Sequence, residues 1–215
     1  MEKLRFSDCT AEFMQDTFGL TQIWESAVLE QWLQLSNDME IDVVERTILD
    51  KLRKTFFEIG DTWNEIELIE CLVSPIFALV DFNTPYFKLF AERRISAMIG
   101  EYELYGEPDA FIAKGSYTPK TPYFCFNEYK RLEDHKGDIR GQLLAAMLAA
   151  QTENGNRMPV YGLYVLDNDW HFMVVQGKAY CLTAGHNAAK HEIFDIFKIL
   201  KALKVILIEI AKQDV

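Results

Sequence analysis

The sequence predicts a mixed α/β or α+β fold, because helical and strand-like patterns occupy different parts of its 215 residues. The first 82 residues repeat apolar side chains at the spacing of amphipathic helices. Residues 86–183 are instead rich in aromatic and β-branched side chains and contain one Ala- and Leu-rich helical segment. The order of elements (helices, β-β-β, α, β-β, α) indicates a sheet covered by helices.

Three helices are predicted in the N-terminal third of the chain, over residues 21–35, 38–60 and 61–82. The second is expected to end at Gly60, a residue type that commonly terminates helices. The third begins with Asp61 or Thr62 as its N-cap. Pro75 is expected to kink it, because proline lacks the backbone N–H that a helix interior uses.

Five strands follow, separated by residue types that favour turns. They are predicted over residues 86–100, 101–115, 122–131, 158–168 and 169–183. The first three read as a meander, and the last two turn at residues 167–169. A helix over residues 137–153, with Asp138 as its N-cap, separates the two groups. A long helix over residues 186–213 closes the chain.

The net charge of −11 is concentrated at one end of the chain. Residues 1–82 contain 17 acidic and 6 basic side chains, so the remainder is neutral. We therefore distinguish an acidic helical lobe, residues 1–60, which is part of the same domain or an appendage, from a core with the C-terminal helix, residues 61–215. An acidic surface binds nucleic acid poorly and would suit a basic partner protein. Six bases are concentrated in the core: Lys114, Lys120, Lys130, Arg131, Lys136 and Arg140.

Cysteine usage and hydropathy predict a cytoplasmic protein that does not span a membrane. The cysteines at positions 9, 71, 125 and 181 lack CxxC spacing, which suggests reduced thiols rather than a disulfide framework or a zinc site. The N-terminus lacks the apolar run of a secretory signal, and the apolar segment at 193–211 carries several charges. The final helix is apolar around much of its circumference, so it could be buried partly against a second copy in a homodimer.

Charged residues occupy two of the predicted strands, where apolar residues dominate. Asp109 lies on one strand, and Glu128 and Lys130 lie two positions apart on the next, which places the latter two on one face. If the strands pair in register, the two carboxylates can hold a divalent cation such as Mg²⁺, which prefers oxygen ligands. A lysine beside the metal can orient or deprotonate an attacking water, as phosphodiester hydrolysis requires.

Each part of this pattern is weak by itself. Roughly one Glu-x-Lys triplet is expected by chance in a chain of this length, and a rival triplet, Asp134 to Lys136, lies in a polar turn. The alternative explanation is a surface ion pair, worth only ~0–1 kcal/mol. Phe124 and Phe126 fall on the face predicted for Glu128, which favours a covered site over a solvated pair.

Pro108-Asp109 and Glu128-Tyr129-Lys130, on consecutive strands directly before a helix, resemble the two half-motifs of the PD-(D/E)xK nuclease-like superfamily. The resemblance implies a metal-dependent endonuclease, a hydrolase that uses Mg²⁺ or Mn²⁺. Asp109 and Glu128 would be the metal ligands, and Lys130 would assist the water. The implied partner is nucleic acid, with DNA preferred to RNA.

The resemblance also implies a restriction-endonuclease-like core, α-β-β-β-α-β-β, over residues 61–183, and it leaves residues 1–60 unexplained. Members often carry Gln or a basic residue on the helix after the second half-motif, where Gln142 stands. Many carry a Glu on the helix before the first strand. Glu70, which borders the apolar stripe of that helix, is the candidate for this metal ligand, and Glu65 is its rival.

Two functions of different classes therefore remain. The first is metal-dependent hydrolysis of nucleic-acid phosphodiester bonds. The second is a non-catalytic protein-interaction module on the same fold, which would use the acidic helical lobe. A nuclease needs a cationic track that leads to the acids, and the six bases could supply it. Substitution of Lys130 by alanine would abolish activity in the first case and leave binding intact in the second.

Overall fold

A computed structural model describes residues 2–131 and 137–213. This part of the chain contains seven α-helices and eleven strands, which confirms the mixed α+β class. The helices are α1 Ala11–Phe18, α2 Ala27–Asn37, α3 Val43–Ile59, α4 Glu65–Leu68, α5 Ser74–Val80, α6 Ile139–Glu153 and α7 Ile193–Gln213. The strands are β1 Glu2–Arg5, β2 Thr21–Gln22, β3 Lys88–Ala91, β4 Ile95–Ile99, β5 Tyr102–Gly106, β6 Ala110–Lys114, β7 Lys120–Lys130, β8 Val160–Leu166, β9 Asp169–Gln176, β10 Ala179–Leu182 and β11 His186–Asn187.

The strands form two sheets. The smaller sheet has the order β1-β5-β4, with β1 parallel and β4 antiparallel to the central strand. The larger sheet has the order β2-β10-β9-β8-β7-β6-β3, and β11 pairs with β9. Strands β7 and β8 are parallel neighbours, because α6 carries the chain back across one face of the sheet between them.

Helices cover both faces of the larger sheet. On one face, α6, α1 and the smaller sheet enclose a core that includes Phe126 and Leu143. On the other face, α2, α3, α5 and α7 enclose a core that includes Trp32 and Phe172. Residues 2–59 contribute to both layers, since β1 pairs with β5, β2 pairs with β10 and α2 packs against α7.

The N-terminal helices begin later than the apolar periodicity predicts, because capping residues fix their first turns. Residues 21–22 pair with β10 as a strand, and α2 starts only after Ser26, whose hydroxyl accepts a backbone N–H of the first turn. Helix α3 starts after Asp42, which forms a capping box with Glu45. It ends at Gly60, as predicted.

The third predicted helix is interrupted. Asn64, rather than Asp61 or Thr62, is its N-cap. Helix α4 continues into a π-helical turn, Ile69–Val73, and Pro75 lies in the first turn of α5. The missing N–H of a proline is tolerated there, so the irregularity is a π-helical turn before the proline rather than the predicted kink at it.

The strand region is more divided than predicted. Residues 86–115 form four strands, β3 to β6, instead of two, because the chain turns at Glu92 and Gly100, which have φ of 48° and 61°. Strands β4 and β5 belong to the smaller sheet, so the predicted meander is wrong. Gly177 separates β9 from β10 within one predicted strand, and residues 186–187 form β11 rather than the start of the last helix.

Helix α6 begins as predicted. The Oδ1 atom of Asp138 accepts the backbone N–H groups of Arg140 and Gly141, at 3.0 and 3.1 Å. Its Oδ2 atom accepts the backbone N–H of Ala11 at 2.7 Å. One carboxylate therefore caps α6 and joins it to α1.

The four cysteines carry free thiols, as predicted, and three of them are buried. None of the helices in the two described ranges combines the length and apolar character that a membrane crossing requires. Helix α7 buries most of its apolar side chains within its own chain. The homodimer stays a prediction.

Candidate active site

The hairpin of β6 and β7 brings the two predicted metal ligands together. Asp109 immediately precedes β6, and the antiparallel register pairs Ala110 with Asn127, so Asp109 lies opposite Glu128. Phe126, two residues before Glu128, belongs to the core beneath α6. Because side chains alternate along a strand, the acids lie on the α6 side of the sheet.

Phe124 does not lie on the face predicted for it, because β7 contains a β-bulge. The register shifts at Ala113, which pairs with Tyr123 although its neighbour Ile112 pairs with Cys125. Phe124 is therefore the extra residue, and it packs in the core on the opposite face of the sheet. Glu128 is therefore covered by α6 and the core that contains Phe126, and Phe124 does not contribute to this cover.

Glu128 is an enclosed acid, with 2% of its surface exposed. Its Oε2 atom accepts a 2.7 Å hydrogen bond from Nε2 of Gln142, in the first turn of α6. Its Oε1 atom is buried and has no hydrogen-bond partner within residues 2–131 and 137–213. Burial, and then the charge of Asp109, raise the pKa of Glu128 well above its ordinary value. A buried oxygen with unused acceptor capacity indicates a missing proton or ligand.

Asp109 accepts a hydrogen bond from β7, the strand that carries Glu128. Its Oδ2 atom accepts the backbone N–H of Tyr129 at 2.8 Å. Burial raises the pKa of Asp109 to about 6, against the opposing effect of that hydrogen bond. The Asp109 and Glu128 carboxyls also lie within reach of a mutual hydrogen bond. Two ionised carboxylates are both acceptors, so that bond forms only while one of them holds a proton.

Two further charges act on the pair. The positive charge of Lys130 lowers the pKa of both acids, whereas the negative charge of Glu65, the first residue of α4, raises both. Glu70, the candidate chosen from the helical pattern, is exposed in the π-helical turn. The structure therefore brings Glu65, the rival, to the pair in place of Glu70.

The five of the six bases that lie in the described residues do not form the predicted cationic track as a group. Lys114 pairs with Lys120 at the far end of the hairpin. Lys120 is eight positions from Glu128 along β7, and Lys114 is five positions from Asp109 along β6, which correspond to roughly 26 Å and 16 Å of extended strand. These two lysines are consequently remote from the acids.

Arg131 is also unavailable to such a track. The Nε atom of Arg131 lies 2.9 Å from Oδ1 of Asp167, and its Nη1 donates to the backbone carbonyl of Gly60 at 3.0 Å. This arginine ties the end of β7 to the end of α3. Lys136, together with the rival triplet that contains it, lies outside the described residues.

A cleft beside the acids contains residues that sequence reasoning missed. It has a volume of about 320 Å³ and is lined by Arg5, Arg94, Tyr105 and Gln142, among others. Arg5 and Tyr105 come from the smaller sheet, whose pairing of β1 with β5 joins residues 100 positions apart, and Arg94 directly precedes β4. Local periodicity carries no signal for such a contact.

The donor set fits a hard cation only in part. Within the two described ranges, no group of three or more His, Cys, Asp or Glu side chains is arranged to hold a metal ion. Two carboxylates are nevertheless a usual contribution to Mg²⁺, which keeps several waters and takes other oxygens from substrate phosphates. The unpartnered Oε1 atom of Glu128, facing a second carboxyl, suits such an ion.

Comparison with known proteins adds no assignment: no family model matches the chain, and no curated protein sequence does so either. A functional proposal therefore depends on the geometry and chemistry of the acid pair.

Proposed function

We propose that the protein is a metal-dependent nuclease that hydrolyses phosphodiester bonds of nucleic acid. The observation that carries the proposal is the pair of half-buried Asp109 and buried Glu128, in which one carboxylate oxygen of Glu128 lacks a partner among the described residues. Burying two acids side by side opposes folding unless they are neutralised. A bound divalent cation would neutralise the pair, and a role in catalysis would explain why the chain keeps it.

The residues of the pair would have distinct roles. Asp109 and Glu128 would hold Mg²⁺ or Mn²⁺, which supplies a more acidic bound water and stabilises charge on phosphate oxygens. Gln142 holds Glu128 in place through its 2.7 Å hydrogen bond. Lys130 would orient the attacking water and accept or return its proton. Glu65 takes the position beside the pair that the resemblance suggested for Glu70, but it acts there through its negative charge, because the three carboxylates are not arranged to hold one ion together.

A cleavage assay tests this proposal. Labelled single-stranded and duplex DNA and RNA are incubated with Mg²⁺ or Mn²⁺ and with wild type, Glu128→Gln, Lys130→Ala or Glu70→Gln. We expect metal-dependent cleavage, of DNA in preference to RNA, that is lost in the first two variants and kept in Glu70→Gln. Failure of the wild type to cleave any substrate with either metal, or full activity in Glu128→Gln, would reject the nuclease.

One observation favours the second function, a protein-interaction module. Helix α3, in the acidic segment, exposes apolar side chains that a solvated helix does not need. Val43, Val44 and Phe57 are 81%, 66% and 74% exposed. These exposed apolar groups would suit a partner protein with an apolar face, and the acidic excess of the rest of residues 1–60 would favour a basic one. In that case Phe57→Ser weakens binding of a basic amphipathic peptide, and Lys130→Ala leaves it intact.

A further inference from the structure

The cleft beside the acid pair is built around one tyrosine. Tyr105 lies on β5, the central strand of the smaller sheet, and its hydroxyl accepts a 3.1 Å hydrogen bond from Nε of Arg5. The guanidinium of Arg94 lies over the same ring, 4.9 Å from its centroid. Two cations from distant segments of the chain thus contact one tyrosine, one at its hydroxyl and the other over its ring.

These arginines are available to a ligand. Both are exposed, and neither forms a salt bridge within residues 2–131 and 137–213. Contact with Tyr105 orients each guanidinium without neutralising it, and leaves N–H groups that can donate. Among the residues in 2–131 and 137–213 that line the cleft, Glu107 is the one acid. These lining residues together carry a net positive charge, in a chain whose total charge is −11.

The cleft is joined to the acid pair through one side chain, although neither Asp109 nor Glu128 lines it. Gln142 lines the cleft and donates its Nε2 hydrogen bond to Oε2 of Glu128. A group bound by the arginines would consequently lie one side chain away from the proposed metal ligands. Guanidinium groups match phosphate oxygens in geometry and charge, and can bind them through two parallel hydrogen bonds.

We propose that Arg5 and Arg94, oriented by Tyr105, bind the phosphates of a nucleic-acid strand and direct it past Gln142 to the acid pair. This inference rests on the proposed function, and it names the part of the chain that recognises the substrate backbone. The six bases of the core, of which two lie at the far end of the hairpin, are not needed for it. The acidic helices then lie outside the substrate path.

Binding without divalent metal tests the inference separately from catalysis. Fluorescein-labelled single-stranded and duplex DNA of about 20 nucleotides is titrated in EDTA, and anisotropy is followed as a function of salt. The plot of log K against log salt has a negative slope. If each arginine contacts one phosphate, Arg5→Ala/Arg94→Ala makes this slope less steep by about 1.4 for single strands and 1.8 for duplex. The same slopes correspond to a loss of affinity of roughly 25-fold and 60-fold at 0.1 M salt.

Two control variants separate the cleft from total charge. Lys51→Ala/Lys54→Ala removes the same charge from α3 and should leave the slope unchanged. Glu107→Gln removes the acid of the cleft and should tighten binding several-fold, which also covers the case in which the arginine variant unfolds. An equal loss in both double variants, or no change in the arginine variant and in Glu107→Gln, would overturn the inference.

The two proposals can fail independently. Binding that depends on Arg5 and Arg94 without metal-dependent cleavage would support the cleft and reject the nuclease. Metal-dependent cleavage that is unaffected in Arg5→Ala/Arg94→Ala would support the nuclease and reject the cleft. Absence of any DNA binding by the wild type in EDTA at low salt would also reject the cleft.

Discussion

Replacing Asp109 by asparagine should stabilise the metal-free protein at alkaline pH. Burial raises the pKa of Asp109 from 3.8 to about 6, so the folded state keeps a proton that the unfolded chain releases near pH 4. The free energy of unfolding of the wild type therefore falls as pH rises from about 4 through 6. A pKa difference of about 2 corresponds to about 3 kcal/mol above that window. Asparagine has no proton to lose, and its carbonyl oxygen can still accept the N–H of Tyr129.

Urea unfolding in EDTA at pH 4 and pH 8 measures this effect. Asp109→Asn should gain about 2–3 kcal/mol over the wild type at pH 8, and this advantage should disappear near pH 4. Glu70→Gln changes an exposed acid in the π-helical turn after α4. Its free energy of unfolding should differ from that of the wild type by the same amount at both pH values. If Asp109→Asn is equally or less stable than the wild type at pH 8, attraction to Lys130 outweighs burial and the reasoning is wrong.

Three other substitutions test the structure around the site by urea unfolding. Gln142→Ala leaves both oxygens of Glu128 without a donor among the described residues. The free energy of unfolding should fall by about 1–3 kcal/mol at pH 8, and unchanged stability would count against this hydrogen bond. Gly141→Ala places a Cβ atom 2.4 Å from the backbone of Thr10. It should separate α1 from α6 and lower the free energy of unfolding by about 1–3 kcal/mol. Unchanged stability would mean that the two helices are not in contact. Trp32→Phe removes a buried 2.8 Å hydrogen bond to a carbonyl of α7 and should cost about 1–3 kcal/mol, and a smaller loss would argue against that bond.

The acid pair could be predicted from the sequence because its determinants are local. Asp109 and Glu128 lie on either side of a short turn, and strand alternation then places them on one face. Gln142 follows from the helix start at Asp138, a strong N-cap. These residues depend on neighbours within about one hairpin and one helical turn.

The choice between Glu65 and Glu70 could not be made in that way. The helical pattern assumes a constant period, but the π-helical turn Ile69–Val73 adds a residue and rotates everything beyond it. Asn64 also starts the helix later than expected, which puts Glu65 in its first turn. Both features depend on packing that the periodicity of a single segment does not contain.

The cleft and the smaller sheet were beyond sequence reasoning for a different reason. Arg5 meets Tyr105 through the parallel pairing of β1 with β5, and Arg94 joins them from the turn before β4. Such pairing depends on the whole fold, because the two strands are 100 residues apart. The aromatic and β-branched pattern indicated strands in this region but not which sheet they join.

Calorimetric titration with Mg²⁺ or Mn²⁺ tests the central claim most directly. We expect the wild type, with an uncleavable phosphorothioate oligonucleotide present, to bind at one class of site. Asp109→Asn and Glu128→Gln should abolish that binding, and Glu70→Gln should keep it. Binding that survives in both site variants, or no binding by the wild type, would contradict a metal centre at the acid pair.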